Sequence, residues 1–409
     1  MRVLLLTYYY PTKENKTRGI FVTKRLERYV NFGVEYTAVP IAFRDGFMLS
    51  LLKFVLNEQH MTPLEVLSIK YEPVYVKRTV SDAVVGRTRW KKKVAEKYIK
   101  EFSESIIGKY KGNGYDLIHA HGMPFPAPVG AIAREVADAL GIPYVITAHG
   151  SDVNFHMADE VLKDIYIEAL ESASKCIFVS NALLEKAKSY GYSGRNAVVI
   201  PNGYDHEIFK PTDKDEIRKG LGIYEEGYKY VGFVGNLIPV KRADKLGEIF
   251  RYINQEHPQT RFIVVGEGYL RKEVEEQTKG LEIVFTGRIS QEKVAEYMNA
   301  MDVMILPSRS EGWPCVVLEA QACGTCVVGS SNGGIPEAVG FNEYVVEDGE
   351  DFERRVAHKV IEVLREGYDA DKFVNRAEHF KWEEIVEREI HVYEAYSSHI
   401  HPMKDLDEN

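Results

Sequence analysis

Short apolar runs alternate with amphipathic stretches along most of the chain, and this alternation leaves few architectures open. Arg2–Thr7, Glu35–Ile41, Asp116–His119, Tyr144–Thr147, Cys176–Ser180 and Ala197–Ile200 read as strands, with helices at Ile20–Phe32, Pro126–Leu140 and Ala158–Ala173 among them. A second series follows Pro201-Asn-Gly-Tyr-Asp205. Its strands are Tyr228–Val234, Thr260–Val265, Glu282–Phe285, Val303–Leu306 and Cys326–Gly329. Its helices are Asp244–Gln255, Tyr269–Gln277 and Gln291–Asn299. Strands separated by helices are joined by crossovers, which produces a parallel sheet covered on both faces. The fold class expected is therefore α/β, with two doubly wound domains over 1–203 and 204–381. Pro201, Gly203 and Pro211 punctuate the linker. A last helix over about 382–398 is expected to pack back on the first domain.

Composition narrows the class. A chain of 409 residues suits two or three domains, and a net charge of -9 argues against nucleic acid as a partner. Four cysteines are too few for a disulfide framework, so a reducing, cytoplasmic setting is expected. Cys323-Gly-Thr-Cys326 has redox spacing but falls where a helix hands over to a strand, which favours coincidence. Met1–Thr7 is apolar without a signal-peptide cleavage region and reads as a buried first strand. No apolar run approaches the roughly 20 residues of a membrane span. The Asp-x-Asp triplets beginning at Asp213, Asp369 and Asp405 read as surface acids, and no metal site is expected.

Ligands of open parallel sheets bind beyond the carboxyl ends of the strands. The loops after the strands of both domains can therefore line one cleft. Among them, Glu311-Gly-Trp-Pro-Cys-Val-Val-Leu-Glu319 carries two acids eight positions apart. An apolar strand precedes it, and a helix stopped by Gly324 follows. Pro314 suits a first helical turn, which puts Glu311 in the loop and Glu319 inside the helix. Backbone N–H groups at such a helix start favour an anion. Carboxylates beside an anion site suit a ligand with both hydroxyls and phosphates. The plain alternative is a surface loop and an ordinary helical glutamate.

Several segments, taken in order, resemble the family-4 (group 1) retaining glycosyltransferases of the GT-B fold. They are Asp116-Leu-Ile-His-Ala-His121, Thr147-Ala-His-Gly-Ser-Asp152, Val199-Ile-Pro-Asn-Gly203, Val231-Gly-Phe-Val-Gly-Asn-Leu-Ile-Pro-Val-Lys241, Val265-Gly-Glu-Gly268, Phe285-Thr-Gly-Arg288, the Glu311–Glu319 segment and Gly333-Gly-Ile-Pro-Glu337. The resemblance covers roughly 1–40 and 115–400. It implies two Rossmann-like domains, the first binding the acceptor and the second a nucleotide sugar. It also implies transfer of a hexose, with a UDP-sugar favoured, to a hydroxyl of a glycan or lipid-linked glycan in cell-envelope polysaccharide or glycolipid synthesis.

The resemblance also suggests roles. Lys241 meets the diphosphate, Glu319 the ribose diol, and Glu311 the donor hexose. His149 stands beside the transferred sugar, so His149, Glu311 and Lys241 form the catalytic set. Gly19, Asn236, Arg242, Gly268, Arg288, Gly312, Trp313, Pro314 and Cys315 fall on the donor side, and His121 and Asp152 on the acceptor side. Asn236 departs from the family, which often has arginine there, and Arg242 is a candidate to supply the missing charge. The donor is a co-substrate, and the resemblance implies neither a metal nor another cofactor.

The least family-like stretch is about 43–101. Its apolar run Gly46–Leu56 and its basic cluster Arg87-Thr-Arg-Trp-Lys-Lys-Lys93 suggest peripheral contact of about 46–93 with the anionic inner face of a membrane. A core helix and a solvated helix start are the alternatives. Two other functions compete with transfer: a nucleotide-sugar epimerase of the same fold, and a non-catalytic carbohydrate-binding protein.

Overall fold

A computed structural model describes residues 1–13, 15–50 and 69–397 of the chain. Two compact units emerge, Met1–Ile200 with the segment from Ile385, and Pro201–Glu384. The first holds β1 (Arg2–Thr7), β2 (Glu35–Asp45), β3 (Val74–Arg78), β4 (Leu117–His121), β5 (Tyr144–Ala148), β6 (Lys175–Phe178) and β7 (Ala197–Val199). The second holds β8 (Lys229–Val234), β9 (Thr260–Val265), β10 (Ile283–Gly287), β11 (Val303–Leu306), β12 (Cys326–Ser330) and β13 (Val345–Val346).

Both sheets are parallel, in the orders β3-β2-β1-β4-β5-β6-β7 and β10-β9-β8-β11-β12-β13. In each, the chain starts mid-sheet, winds outward, and returns to the other side of the first strand. The direction of winding thus reverses between β1 and β4, and again between β8 and β11. Loops leaving such a pair of strands diverge to opposite faces and open a crevice at their carboxyl ends.

Continuous apolar runs form the central strands because both sheet faces are covered. Val3–Leu6 are fully buried in β1. In the second unit, Val231, Phe233, Val303 and Ile305 pack with Phe352, Val356 and Val360 of the Phe352–Glu366 helix.

Several elements depart from the sequence reading. β2 continues to Asp45 and pairs with β3, a strand not expected. β13 has only two residues, too short for any periodic signal. A helix also spans Lys91–Tyr110, starting at the end of the basic cluster for which a solvated helix start was the alternative. Its buried Val94, Tyr98, Phe102, Ile106 and Tyr110 recur every fourth residue, the signal that would have revealed it.

The unit boundary also falls earlier than 203. Tyr204 N–H donates to the Phe380 carbonyl, and Trp382 N–H to the Tyr204 carbonyl, which ties both ends of the second unit together. The last helix is Trp382–Glu394, and from Ile385 it packs within the first unit. Asp213 and Asp369 are helix N-caps, while the third triplet lies outside the described residues. Residues 51–56 of the apolar run also lie outside them.

Candidate functional site

In the second unit, the loop after β8 turns through Pro239–Lys241 and meets the loop after β11. Lys241 Nζ donates to Glu311 Oε1 at 2.5 Å. Both side chains keep some exposure, 22% and 13%, so solutes can reach the pair.

Neighbouring contacts fix the two loops. Arg309 N–H donates to the Val240 carbonyl at 2.8 Å, and its guanidinium grips both Asp244 oxygens at 2.7 Å. Gly334 N–H donates to the Glu311 carbonyl. Gly268 lets the loop after β9 close on this region, because a Cβ there would lie 2.2 Å from the Leu237 carbonyl oxygen. Asn236 and Arg288 are exposed on loops of the same unit.

Pro314 is the N-cap of the Cys315–Ala322 helix, with Gly312 half-buried before it and Cys315 half-buried after it. Trp313 turns inward instead, where its Nε1 donates to the Asn202 carbonyl and its ring packs against Phe380. Its side chain anchors the loop, so any donor contact falls to its backbone. Glu319 sits on the helix as expected. Burial, together with the nearby Asp205 carboxylate, raises its carboxyl to about 7.

Arg242 does not take the place expected of it. It adopts φ 55°, which turns its side chain into the unit rather than beside Lys241. There it is buried, hydrogen-bonded to Asp348 at 2.6 Å, 3.6 Å from Glu353, and stacked over Phe352. Two carboxylates already offset its charge, so it does not replace the arginine missing at Asn236.

In the first unit, Gly19 precedes the Ile20–Tyr29 helix with φ 67°, and a Cβ there would meet the Tyr9 carbonyl carbon at 2.5 Å. Glycine is thus required by the packing of this chain's own loop. Tyr9 and Phe21 in turn pack against the His149 ring, at 5.7 and 4.3 Å between centroids.

His121 and Asp152, expected to face an acceptor, are fully buried. Asp152 accepts the backbone N–H groups of His149, Gly150 and Val153, and so shapes the loop that carries His149. His121 Nδ1 lies 3.0 Å from His149 Nε2. Both residues hold His149 from behind. Burial drives His121 and His149 well below the usual histidine range, with neighbouring histidines and Arg25 adding to the shift.

The sequence reading missed Arg309, Asp244 and Asp348. The Asp152 anchor had a signal: an aspartate three positions after a loop residue can accept that residue's backbone N–H.

The model for "Glycosyl transferases group 1" matches 213–380, and that for "Glycosyltransferase Family 4" matches 65–208. TuaC of Bacillus subtilis (strain 168), a glycosyltransferase assigned to teichuronic acid biosynthesis, is 30% identical over 354 residues, 85% of either chain. The N-acetyl-alpha-D-glucosaminyl L-malate synthase of Bacillus anthracis is 27% identical over 259 residues, 61% of this chain and 66% of that one. The crystal structure of HepE from Anabaena in complex with UDP superposes with a TM-score of 0.70 at 18% identity, covering 97% of this chain and 100% of that one. The chain therefore belongs to the group 1 glycosyltransferases, of the two-domain α/β GT-B fold.

Proposed function

We propose that this glycosyltransferase moves a hexose from a UDP-sugar, with retention, to a hydroxyl of a glycan or lipid-linked glycan in envelope polysaccharide or glycolipid synthesis. The observation that carries the reading is the 2.5 Å Lys241–Glu311 contact at the β8/β11 crevice, beside the helix that carries Glu319. A leaving diphosphate gains negative charge as its bond to the sugar breaks, and a preset cation stabilises that charge more than the ground state. Lys241 supplies the cation. Glu311 holds the ammonium in place and offers a carboxylate to sugar hydroxyls, while Glu319 accepts the ribose diol. The first-turn N–H groups of the Cys315–Ala322 helix add dipoles toward the phosphates.

His149 meets the sugar in this reading. Its Nδ1 is buried without a hydrogen-bond partner among the described residues. A neutral imidazole there can hydrogen-bond the sugar without repelling its developing positive charge. The leaving phosphate itself takes the acceptor's proton, on the same face. Positive charge comes from Lys241, so turnover is expected to survive EDTA.

UDP is supported by structural neighbours: HepE was crystallised with UDP, with UDP and glucose, and with UDP-glucose. The envelope setting is supported by the names of TuaC and of WaaB, a lipopolysaccharide outer core galactosyltransferase. Among the described residues no helix is long and apolar enough to cross a membrane. Exposed Phe47, Met48 and Trp90, the last flanked by Arg89 and Lys93, support peripheral contact with an anionic inner membrane face.

The test is a panel of UDP-, GDP- and ADP-sugars. Slow donor hydrolysis is expected with at least one UDP-sugar and with the anomeric configuration retained. Absence of both hydrolysis and nucleotide binding across the panel would sink the reading.

A further inference from the structure

The last helix carries two groups into the interior of the first unit that the reading above does not use. Glu389 and Tyr393 are both fully buried. Glu389 accepts Arg25 Nε at 2.9 Å, the Tyr393 hydroxyl at 2.8 Å, and the Tyr29 hydroxyl. Burial alone would raise this carboxyl, but the Arg25 guanidinium and the hydroxyls of Tyr29 and Tyr393 hold it below its usual range, so it is ionised.

The Tyr393 oxygen also lies 2.5 Å from His119 Nδ1, and His119 Nε2 lies 2.7 Å from the Thr147 hydroxyl. The His119 ring packs against His121, tilted by 40° with 4.0 Å between centroids, and His121 holds His149. Glu389 is thus linked to His149 by an unbroken series of contacts inside one unit.

The protons in this series can be assigned. Tyr393 has one hydroxyl proton, and the ionised Glu389 is the strongest acceptor within its reach. The proton therefore goes to Glu389, and the Tyr393 oxygen must accept from His119 Nδ1–H. His119 Nε2 is then bare and accepts from Thr147. Burial pushes His119 down to about 4, which keeps the ring neutral and allows this single tautomer.

We propose that Tyr393 and Glu389 are positioning residues for the transfer site. They lock His119 in its Nδ1–H tautomer and seat the His119–His121 contact that orients His149. The last helix is in this way a working part of the site, beyond tying the chain end down. The proposal rests on the reading of His149 as the residue beside the transferred sugar.

The test compares Tyr393→Phe with Tyr29→Phe in the full chain. Each removes one hydroxyl from the same carboxylate; the Tyr29 hydroxyl also lies 2.6 Å from that of Tyr393, but among the described residues it meets no histidine. Imidazole 15N–1H spectra should show His119 as Nδ1–H in the wild type and in Tyr29→Phe, and should lose that signature in Tyr393→Phe. In parallel, kcat should fall about ten- to a hundredfold in Tyr393→Phe with the dissociation constant for UDP unchanged, and should hold in Tyr29→Phe. Equal losses of kcat in the two variants, a kcat that Tyr393→Phe leaves intact, or an Nε2–H tautomer in the wild type would each overturn the proposal. Failure of the underlying reading looks different: the wild type then shows no turnover, while the tautomer measurement still reports on His119. Should Tyr393→Phe melt early, Thr147→Val provides a second probe. It removes the partner of the opposite ring nitrogen and is expected to lower kcat with the Nδ1–H signal retained.

Discussion

The two units, built on similar sheets, place charge in opposite ways. In the second, Lys241 and Glu311 meet on loops and stay partly open to solvent. In the first, Arg25 and Glu389 meet between helices with no exposed side-chain surface. An open pair can exchange partners with a ligand at modest cost, because water and ligand both compensate the separated charges. A sealed pair cannot be separated without leaving a charge uncompensated in a poorly solvating interior. One arrangement suits binding and release, the other suits holding a structure fixed. Arg242 shows the same distinction within one unit: adjacent to Lys241 in sequence, it is sealed against Asp348 and Glu353.

The contrast can be broken by substitution. Arg25→Met leaves Glu389 buried without its cation, and should cost about 3–5 kcal/mol of stability in denaturant unfolding. A loss near zero would remove the contrast altogether. Lys241→Ala should instead leave the melting temperature almost unchanged and lower kcat roughly a hundredfold, as removal of a preset charge does elsewhere. Glu319→Ala should weaken UDP binding by about 1.5–3 kcal/mol, more than Glu311→Ala does, as read by calorimetry. Equal or reversed losses would refute the division between ribose and hexose.

The smallest expected effect concerns pH. Glu319 is raised to about 7 in the folded protein, so in the window from its unfolded value near 4.5 up to about 7 the folded state binds more protons than the unfolded. Its contribution to stability is therefore fully present at low pH and is lost as pH rises through that window. A diol donates to the ionised carboxyl, so UDP affinity should increase as pH rises through 7. Glu319→Gln should remove that increase while keeping the slope due to the nucleotide's own phosphate.

Legibility in the sequence varied with the range of the interactions. Glu311 and Glu319 took their expected places because strand, proline and helix stop are local signals. The Lys91–Tyr110 helix was equally local, and its four-residue stripe went unread. Edge strand β3 was hard to see, since Val74-Tyr-Val-Lys-Arg78 is short and only partly buried. Arg242 could not be placed, because a non-glycine residue at positive φ gives no sign of itself in sequence.

By itself, the sequence determined the parallel α/β architecture, the two-part organisation, and the placement of Glu311 in a loop and Glu319 on the helix that follows it. These follow from hydrophobic period and turn chemistry, which act over a few residues. Only the tertiary structure decided which charges are sealed and which are open. It also decided that Tyr393 meets His119 across 274 positions of chain. Burial and partner choice are set by packing among distant segments, and the physical value of a charge depends on that surrounding more than on its neighbours in sequence.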